Sequence, residues 1–528
     1  MELARVTLDD KYTLQSGRIY LSGIQALVRL PMMQRARDRA AGLKTAGFIS
    51  GYRGSPLGGY DNALWLAWGL LEANDICFQP GLNEDLAATA VWGSQQVGLF
   101  PGAKVDGVFG IWYGKGPGVD RSTDALRHAN WAGTSPKGGV LAIAGDDHGA
   151  TSSTTAHQSE QLFEAAMMPV LNPASVQEFL DLGLIGFALS RFCGCWVGFK
   201  TTSETVETSA SVHVDPQRVV VSLPHDFEMP AGGLHIRWPR GGMDWALDQE
   251  RRLHGPKMAA ARAFARANGL DRVMIDSPAP RLGLIAAGKA YLDLRQALAE
   301  LGIADELAAQ LGIRVYKVGL AWPLEPAGAR RFAEGLTDIL VVEEKRGFIE
   351  PQLKELLYNM DAARRPSIVG KSDESGAPLL PSTGELTPSM IARAVVARLK
   401  RLGECAQFDA RLTQLDSFEP ASALPASQMR RTPFFCSGCP HNTSTRVPEG
   451  SRALAGIGCH SMALFVPDRA TATLTHMGGE GANWIGQAPF TAERHVFQNL
   501  GDGTYAHSGL TAIRAAAAAP RCCSLVTW

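Results

Sequence analysis

Short apolar runs alternate with helical stretches along the first part of the chain. Three runs that end in glycine-bearing loops predict buried strands: residues 45–52, 108–114 and 139–147. Between them, residues 61–72 and 84–100 predict helices, and Asn83 is suited to cap the second one. Alternation of strands with helices is typical of a doubly wound parallel sheet, so the pattern predicts an α/β fold.

A second group of apolar runs follows a less regular stretch. Strands are predicted at residues 281–288, 313–320 and 338–345, with helices at 289–301 and 325–335 between them. Proline, serine and glycine without periodicity predict linkers or surface loops at 371–389 and 418–428. We therefore predict a multidomain chain divided into residues 1–225, a connector at 226–280, a smaller α/β domain at 281–400, a linker at 401–431, and residues 432–528.

Composition narrows the class of protein. At ~150 residues per domain, 528 residues leave room for about three or four domains. Lysine and arginine total 51 against 52 acidic residues, so no overall field attracts nucleic acid or an anionic membrane. The first residues lack the basic segment followed by an apolar run that is typical of a signal peptide. The most apolar stretch, residues 182–199, is interrupted by Arg191 and does not indicate a membrane-spanning helix. We predict a cytoplasmic protein that binds neither nucleic acid nor membranes, and the nine cysteines suggest no disulfide framework.

The sequence Gly501-Asp502-Gly503 lies between an apolar run and a helical pattern at 508–519. Glycines allow close approach of a diphosphate to backbone N–H groups, and aspartate supplies a hard oxygen ligand for its divalent cation. A plain tight turn between strand and helix explains the same spacing equally well.

Cys436, Cys439 and Cys459 form the second candidate site. Two thiolates separated by two residues can face one metal ion or cluster, although iron–sulfur clusters and many zinc sites need four cysteines. Buried free thiols are the alternative interpretation.

The first predicted domain offers further polar candidates. Glu84 at a helix start is either a general acid/base or a carboxylate that complements the helix dipole. Arg53, beside two glycines, is either an anion ligand or an ordinary surface arginine. The segment Asp146-Asp147-His148 follows a strand; we favour a loop that caps the next helix over a metal or substrate site.

Eight segments in order resemble the thiamine diphosphate dependent 2-oxoacid:ferredoxin oxidoreductases, specifically the long fused form of indolepyruvate ferredoxin oxidoreductase. They are GYRGSPLGGYD, NEDLAATAVWG, WYGKGPGVDRS, DDHGATSSTTAHQSE, CSGCPHNTS, GIGCH, THMGGEGANWIGQAP and NLGDGTYAHSGL. The resemblance covers nearly the whole chain.

The resemblance implies oxidative decarboxylation of an aryl 2-oxo acid, with coenzyme A taking the acyl group and ferredoxin the electrons. Residues 1–225 would bind the aminopyrimidine, 281–400 would resemble a transketolase C-terminal domain, and 432–528 would bind the diphosphate. Glu84 would be catalytic, and Arg53 and Ser55 would bind substrate. Tyr52, Gly54, Pro56, Gly501, Asp502 and Gly503 would bind the cofactor, Asp502 would bind Mg²⁺, and Cys436, Cys439 and Cys459 would hold a [4Fe-4S] cluster.

The sequence also departs from the family. No asparagine follows Asn499 to complete the thiamine motif, and the family's fourth cluster cysteine is missing. The pattern fails from about Pro520, so we expect a truncated diphosphate domain and no turnover by the chain alone. Two alternatives are a non-redox thiamine diphosphate decarboxylase or carboligase, and a non-catalytic subunit that needs a partner. Complete relatives are expected to be homodimers.

Overall fold

The computed structural model describes residues 6–237, 244–403, 406–422, 433–519 and 524–527. The chain forms two compact units, residues 1–419 and residues 420–528. Parallel sheets flanked by helices build both units, which confirms the predicted multidomain α/β class.

The first unit contains fourteen strands among its described residues. They are β1 (Gly17–Ser22), β2 (Thr45–Gly51), β3 (Ile76–Phe78), β4 (Gly107–Lys115), β5 (Val140–Asp146), β6 (Val170–Leu171), β7 (Trp196–Thr202), β8 (Ser209–Val214), β9 (Arg272–Ile275), β10 (Leu282–Ala287), β11 (Ile313–Val318), β12 (Leu320–Trp322), β13 (Asp338–Val342) and β14 (Ser367–Val369).

The α-helices that begin in this unit surround those strands. They are Asp10–Thr13, Gly23–Ala40, Gly58–Leu66, Trp68–Ala73, Glu84–Gln95, Gly116–Ala132, Glu160–Ala165, Val176–Cys193, Ser203–Glu207, Trp245–Arg252, Met258–Ala267, Gly288–Glu300, Asp305–Gln310, Pro326–Ala333, Ile349–Leu357, Pro388–Arg401 and Ala406–Ser422.

The larger sheet has seven strands in the order β12-β6-β7-β5-β4-β2-β3. Every pairing is parallel except that of β12 with β6. Successive residues of β4 point to opposite faces: Ile111 and Tyr113 enter one hydrophobic core and Trp112 enters another. Both faces are therefore buried, which explains why β4, β5 and β7 read as continuous apolar runs.

The second sheet has five strands in the order β14-β13-β10-β11-β9, with β9 antiparallel at one edge. The strand predicted at 313–320 ends at Val318, and the next residues form β12 of the larger sheet. One segment of chain thus contributes to both sheets. A smaller antiparallel pair, β1 with β8, completes the strands of this unit.

Several predicted boundaries differ from the structure. The helix expected at 61–72 is two helices, and the helix expected at 84–100 ends at Gln95. Within the linker expected at 401–431, residues 406–422 are helical, whereas 423–432 lie outside the described residues. Phe408 is buried there, and Asp409 and Asp416 pair with Lys400 and Arg393 of the preceding helix. These contacts stabilise a helix that its composition did not indicate.

The second unit contains a parallel four-stranded sheet in the order β16-β15-β17-β18. Its strands are β15 (Ala453–Ala455), β16 (Thr471–Leu474), β17 (Phe497–Leu500) and β18 (Ser524–Thr527), and its α-helices are His441–Ser444, Ala482–Gln487, Asp502–Thr504 and Leu510–Ala518.

Beyond Pro520, where the sequence departs from the family's pattern, the structure contains the strand β18. Residues Ser524–Thr527 pair in parallel with β17 along four residues. Leucine, valine and threonine in this segment favour extended structure, and the backbone of β17 supplies the partner. Residues 520–523 lie outside the described part of the chain.

No described helix is both long and apolar enough to cross a membrane.

Candidate functional site

The carboxyl end of the larger sheet brings together the loops after β2, β3 and β4. The backbone N–H of Tyr52 donates to the carbonyl of Tyr113 at 3.2 Å. A Cβ on Gly51 would lie 2.2 Å from the same carbonyl oxygen, so only glycine fits there. The loop after β3 is joined to the end of β2, because the N–H of Gly81 donates to the carbonyl of Gly51 at 2.9 Å.

The loop after β2 carries five of the residues predicted to bind substrate or cofactor. Arg53 and Ser55 are exposed, Tyr52 and Gly54 are half-buried, and Pro56 is buried. A Cβ on Gly54 would lie 2.9 Å from Cδ of Lys115, which ends β4. Burial lowers the pKa of Lys115, and the carboxylates of Asp147 and Glu84 oppose that shift. The loop therefore lies beside a cation that is close to Glu84.

Glu84 begins a helix on the carboxyl side of β3 and is 8% exposed. The predicted cap is confirmed, since the Asn83 side chain accepts a hydrogen bond from the N–H of Leu86 at 3.0 Å. The indole N–H of Trp112 donates to the Glu84 carbonyl at 2.9 Å and joins this turn to β4. Two separate hydrogen bonds thus fix the backbone that carries the carboxyl group.

Glycines fix the Glu84 side chain as well. A Cβ on Gly118 would lie 2.7 Å from its Cγ and 2.9 Å from its Oε1. A Cβ on Gly114 would lie 3.6 Å from the same Cγ. The carboxyl group therefore rests against the backbone at the start of helix Gly116–Ala132, a position that a larger residue at 118 would change. Sequence reasoning missed the role of Gly118, which only the packing reveals.

Asp146 and Asp147 accept hydrogen bonds from the loop that follows β5, whereas no side chain caps helix Glu160–Ala165 as the favoured interpretation expected. Asp146 accepts hydrogen bonds from the N–H and hydroxyl of Ser159, the residue that precedes helix Glu160–Ala165. Asp147 accepts from the N–H groups of Thr151 and Ser152 at 3.0 and 2.8 Å. Both carboxylates are thus occupied in shaping residues 147–159.

A small polar cavity lies where the carboxyl ends of the two sheets of the first unit meet. It has a volume of about 30 Å³, and His148, Lys200, Lys289, Glu343 and Glu344 are among its lining residues. The His148 Nδ1 lies 3.8 Å from a Glu344 oxygen. Burial, together with the charges of nearby lysines, lowers the pKa of His148 well below its ordinary value. A cavity of this volume has room for about two or three water molecules, so it is too small for a substrate.

In the second unit, Gly501 directly follows β17, and Asp502 and Gly503 are the first two residues of a short helix. The Asp502 side chain is exposed, and a Cβ on Gly503 would meet nothing within 4 Å. A Cβ on Gly501 would lie 3.9 Å from Nδ1 of His460. The segment is open and carries a carboxylate beside N–H groups of a helix start. It suits a diphosphate with a divalent cation.

His460 is a buried neighbour of this segment that sequence reasoning missed. It is 1% exposed, and within the described chain neither ring nitrogen has a hydrogen-bond partner. Its ring centroid lies 5.8 Å from that of His441, and burial, with His441, lowers the pKa of His460 to about 4. The imidazole is therefore neutral near pH 7. Its position after Cys459 in GIGCH was the only signal available.

The three predicted cluster cysteines do not form a ligand set in this structure. Cys436 and Cys459 are exposed and Cys439 is half-buried. Cys436 and Cys439 share a turn, closed by the N–H of Cys439 and the carbonyl of Cys436 at 3.0 Å. Over the described ranges, no group of three histidine, cysteine or acidic residues is placed to hold a metal ion. The arrangement therefore does not fit an iron–sulfur cluster.

The fold has a counterpart among solved structures. The structure resembles that of 2-oxoglutarate:ferredoxin oxidoreductase from Magnetococcus marinus, with a TM-score of 0.50 and 15% sequence identity. The match covers 72% of this chain and 65% of that one. The likeness shows that the two chains share a multidomain α/β fold.

Sequence comparisons show which known proteins the chain resembles. Residues 271–423 match the model described as the indolepyruvate ferredoxin oxidoreductase middle domain. The indolepyruvate oxidoreductase subunit IorA of Methanothermobacter marburgensis is 25% identical over 517 residues, 95% of this chain and 74% of the relative. The subunit IorA of Thermococcus kodakarensis is 26% identical over 493 residues, 85% and 70% of the two chains. These matches confirm the resemblance to indolepyruvate ferredoxin oxidoreductases.

Proposed function

We propose that this chain is the catalytic subunit of a thiamine diphosphate dependent oxidoreductase. Its substrate would be an aryl 2-oxo acid of the indolepyruvate type, which loses CO₂ while coenzyme A takes the acyl group and ferredoxin takes two electrons. The sequence relatives, which are named as indolepyruvate oxidoreductase subunits, support both the substrate class and the need for a second subunit.

One observation carries the proposal: Glu84 is buried at a helix start on the carboxyl side of a parallel sheet, with its side chain against Gly118. Thiamine diphosphate, when bound, supplies the carbon nucleophile that attacks a 2-oxo acid and takes up the electron pair left by CO₂. The Glu84 carboxyl group would hydrogen-bond the ring nitrogen of the aminopyrimidine and hold a proton there. Its fixed position avoids reorganisation during the reaction.

Other residues would bind and orient the reactants. Gly501 and Gly503 leave room for a diphosphate, and the exposed Asp502 carboxylate would bind its Mg²⁺. The Arg53 guanidinium, exposed in the loop after β2, would attract the substrate carboxylate, and the Ser55 hydroxyl would donate to it. Tyr52, Gly54 and Pro56 would form the wall of the cofactor pocket. No electron-transfer step is assigned to Cys436, Cys439 and Cys459.

The test uses the purified chain together with any subunit that copurifies with it. Thiamine diphosphate binding is measured by tryptophan fluorescence, and CO₂ release and viologen reduction are measured with indolepyruvate, phenylpyruvate and 2-oxoglutarate. We expect binding that requires Mg²⁺ and dye reduction that requires an aryl 2-oxo acid and coenzyme A. CO₂ release without dye reduction would instead favour a non-redox decarboxylase. Absence of cofactor binding would overturn the proposal.

A further inference from the structure

Two cysteines separated by one glycine lie in the core of the first unit. Cys193 is the last residue of helix Val176–Cys193, Gly194 caps that helix with φ of 68°, and Cys195 precedes β7. Both thiols are fully buried. The Cys195 thiol faces the Cys193 carbonyl at 3.9 Å, so the chain folds back on itself at Gly194. The turn therefore places two buried cysteines on either side of one glycine in the same hydrophobic core.

A buried lysine lies against the same turn. Lys257 is 1% exposed, and its ammonium group donates to the Gly194 carbonyl at 2.9 Å. It belongs to a π-helical turn, Leu253–Lys257, between two helices of the connector. A Cβ on Gly133 would lie 2.9 Å from its Nζ, so the ammonium group is enclosed by backbone as well.

The surroundings of Lys257 are unusual because no carboxylate in the described chain forms an ion pair with it. The ionisable groups that act on it are the thiols of Cys193 and Cys195 and the guanidinium groups of Arg252 and Arg237. A buried ammonium without an anion is costly, since the interior replaces its hydration poorly. A thiolate at Cys195 would neutralise it.

The electrostatic balance favours that thiolate. Burial alone would raise the pKa of Cys195, but a hydrogen bond from the Cys193 thiol and the charges of Lys257 and Arg252 lower it overall. Burial and the interaction with Cys195 raise the pKa of Cys193, which keeps its proton. The two thiols therefore differ, because the pKa of Cys195 is lowered and that of Cys193 is raised. The thiolate is the reactive form of cysteine.

We propose that Cys193 and Cys195 are a redox-active dithiol that closes to an intramolecular disulfide when a hydroperoxide reaches it. The Cys195 thiolate attacks one peroxide oxygen, the O–O bond breaks, and the leaving hydroxide takes a proton to become water. The Cys193 sulfur then attacks the sulfenic acid, its thiol proton leaves with the sulfenic oxygen as a second water, and the S–S bond forms. Two thiols are oxidised and one hydroperoxide is reduced.

Burial determines which reagents can react. Cys193 and Cys195 are fully buried, whereas Cys77 is exposed on the edge strand β3 and is open to small and bulky reagents alike. Cys77 is therefore an internal reference for an accessible thiol without a partner cysteine close in sequence. The proposal concerns residues outside the site proposed for catalysis, so either can fail without the other.

The test treats the folded protein with hydrogen peroxide, denatures it, alkylates the remaining thiols and digests it with trypsin. Cleavage after Arg191 and Lys200 releases one peptide, residues 192–200, that contains both cysteines. We expect this peptide to be lighter by two hydrogen atoms, unalkylated, and restored by dithiothreitol. If both thiols are still alkylated after a dose that oxidises Cys77 completely, the dithiol is inert and the proposal is wrong.

Two variants, Lys257→Met and Cys77→Ser, test whether the Lys257 ammonium group increases the rate of disulfide formation. Lys257→Met removes the ammonium group and should slow disulfide formation at least about tenfold, because less thiolate remains. Cys77→Ser should leave the rate unchanged. Circular dichroism checks that Lys257→Met is folded. If Lys257→Met does not fold, the rate comparison is replaced by a titration of the wild-type protein, in which the ultraviolet absorbance of the thiolate is followed against pH. An unchanged rate, or no buried thiolate near neutral pH, would overturn the role of Lys257.

Discussion

Two buried glutamates stand at the carboxyl edges of the two sheets in the first unit, and their carboxyl groups are held differently. Glu343 follows β13, and its oxygens accept the N–H groups of Phe348, Ile349 and Glu350 at 2.9, 2.7 and 3.1 Å. Glu84 lies on the carboxyl side of β3, and its side chain packs against Gly118. Position and burial are alike, so neither by itself indicates catalysis.

The difference lies in what each carboxyl group does for the fold. Glu343 satisfies the N–H groups at the start of helix Ile349–Leu357, which would otherwise be buried without partners. The Glu84 backbone carbonyl accepts the hydrogen bond from Trp112, and its carboxyl group rests against Gly118 on the carboxyl side of the larger sheet. We therefore expect Glu343 to matter for stability and Glu84 for chemistry.

The largest expected effect is on activity when Glu84 is replaced. Glu84→Gln keeps the shape of the side chain and removes its ability to exchange a proton. We expect the rate of 2-oxo acid dependent CO₂ release to fall by about 10²- to 10⁴-fold. Asp85→Asn, one residue further along the same helix, is the matched control and should stay near the wild-type rate. An equal loss of rate in the two variants would show that the loss comes from removing a negative charge at the start of the helix, and not from the proton exchange of Glu84.

The next effect tests whether Gly118 positions Glu84. Gly118→Ala places a Cβ 2.7 Å from the Glu84 Cγ, so the carboxyl group must move. We expect a rate loss of roughly 10- to 100-fold, since small displacements of catalytic groups are costly. Thermal stability should not fall in proportion, because alanine favours a helix by ~1 kcal/mol over glycine.

Gly93→Ala is the control for that variant, because a Cβ on this glycine of the Glu84 helix meets nothing within 4 Å. Full activity in Gly118→Ala, measured in the same CO₂ assay, would show that the contact does not set the position of Glu84.

The third effect concerns stability and pH. Burial raises the pKa of Glu343 to about 7, so the folded protein keeps a proton that the unfolded chain releases from about pH 4.5 upward. The free energy of unfolding should therefore fall as pH rises from about 5 to 8, by on the order of 2–3 kcal/mol. Asp271, whose pKa burial also raises to about 7, adds an effect of the same sign.

Urea unfolding of wild type and Glu343→Gln at several pH values measures this effect. The variant should show a flatter profile, with the remaining slope removed by adding Asp271→Asn. A wild-type profile that rises over this pH range would contradict the raised pKa of Glu343.

The smallest expected effect is on cofactor affinity in the second unit. Asp502→Asn removes the anionic ligand for Mg²⁺, and we expect thiamine diphosphate to bind at least about tenfold more weakly, equal to ~1.4 kcal/mol. Because the side chain is exposed, the midpoint of thermal unfolding should not change. Asp468→Asn, at another exposed aspartate of this unit, is the control. Equal affinity in both variants would remove Asp502 from the cofactor site.

Sequence patterns predicted the strands with good accuracy where both faces are buried. The runs at 45–52, 108–114 and 139–147 correspond to β2, β4 and β5 within one or two residues. A strand covered on both faces needs apolar side chains at every position, so its signal is local. The Asn83 cap was predictable for the same reason, since it contacts the N–H of Leu86 three residues away.

Features that depend on distant residues were not predictable. The separation of β12 from β11 depends on pairing with β6, about 150 residues earlier in the chain. Helix 406–422 depends on ion pairs with the preceding helix, and β18 depends on the backbone of β17. In each case a partner outside the segment supplied the stabilising contacts.

The same division applies to the sites. By itself the sequence determined the α/β class, the order of the motifs and the identity of the chemical groups, because strand period, helix caps and glycine turns act within a few residues. Only the tertiary structure decided that Glu84 rests on Gly118, that Glu343 caps a helix, and that Lys257 lies beside Cys193 and Cys195. Burial and electrostatics arise from residues that are remote in the chain, and no local pattern encodes those distances.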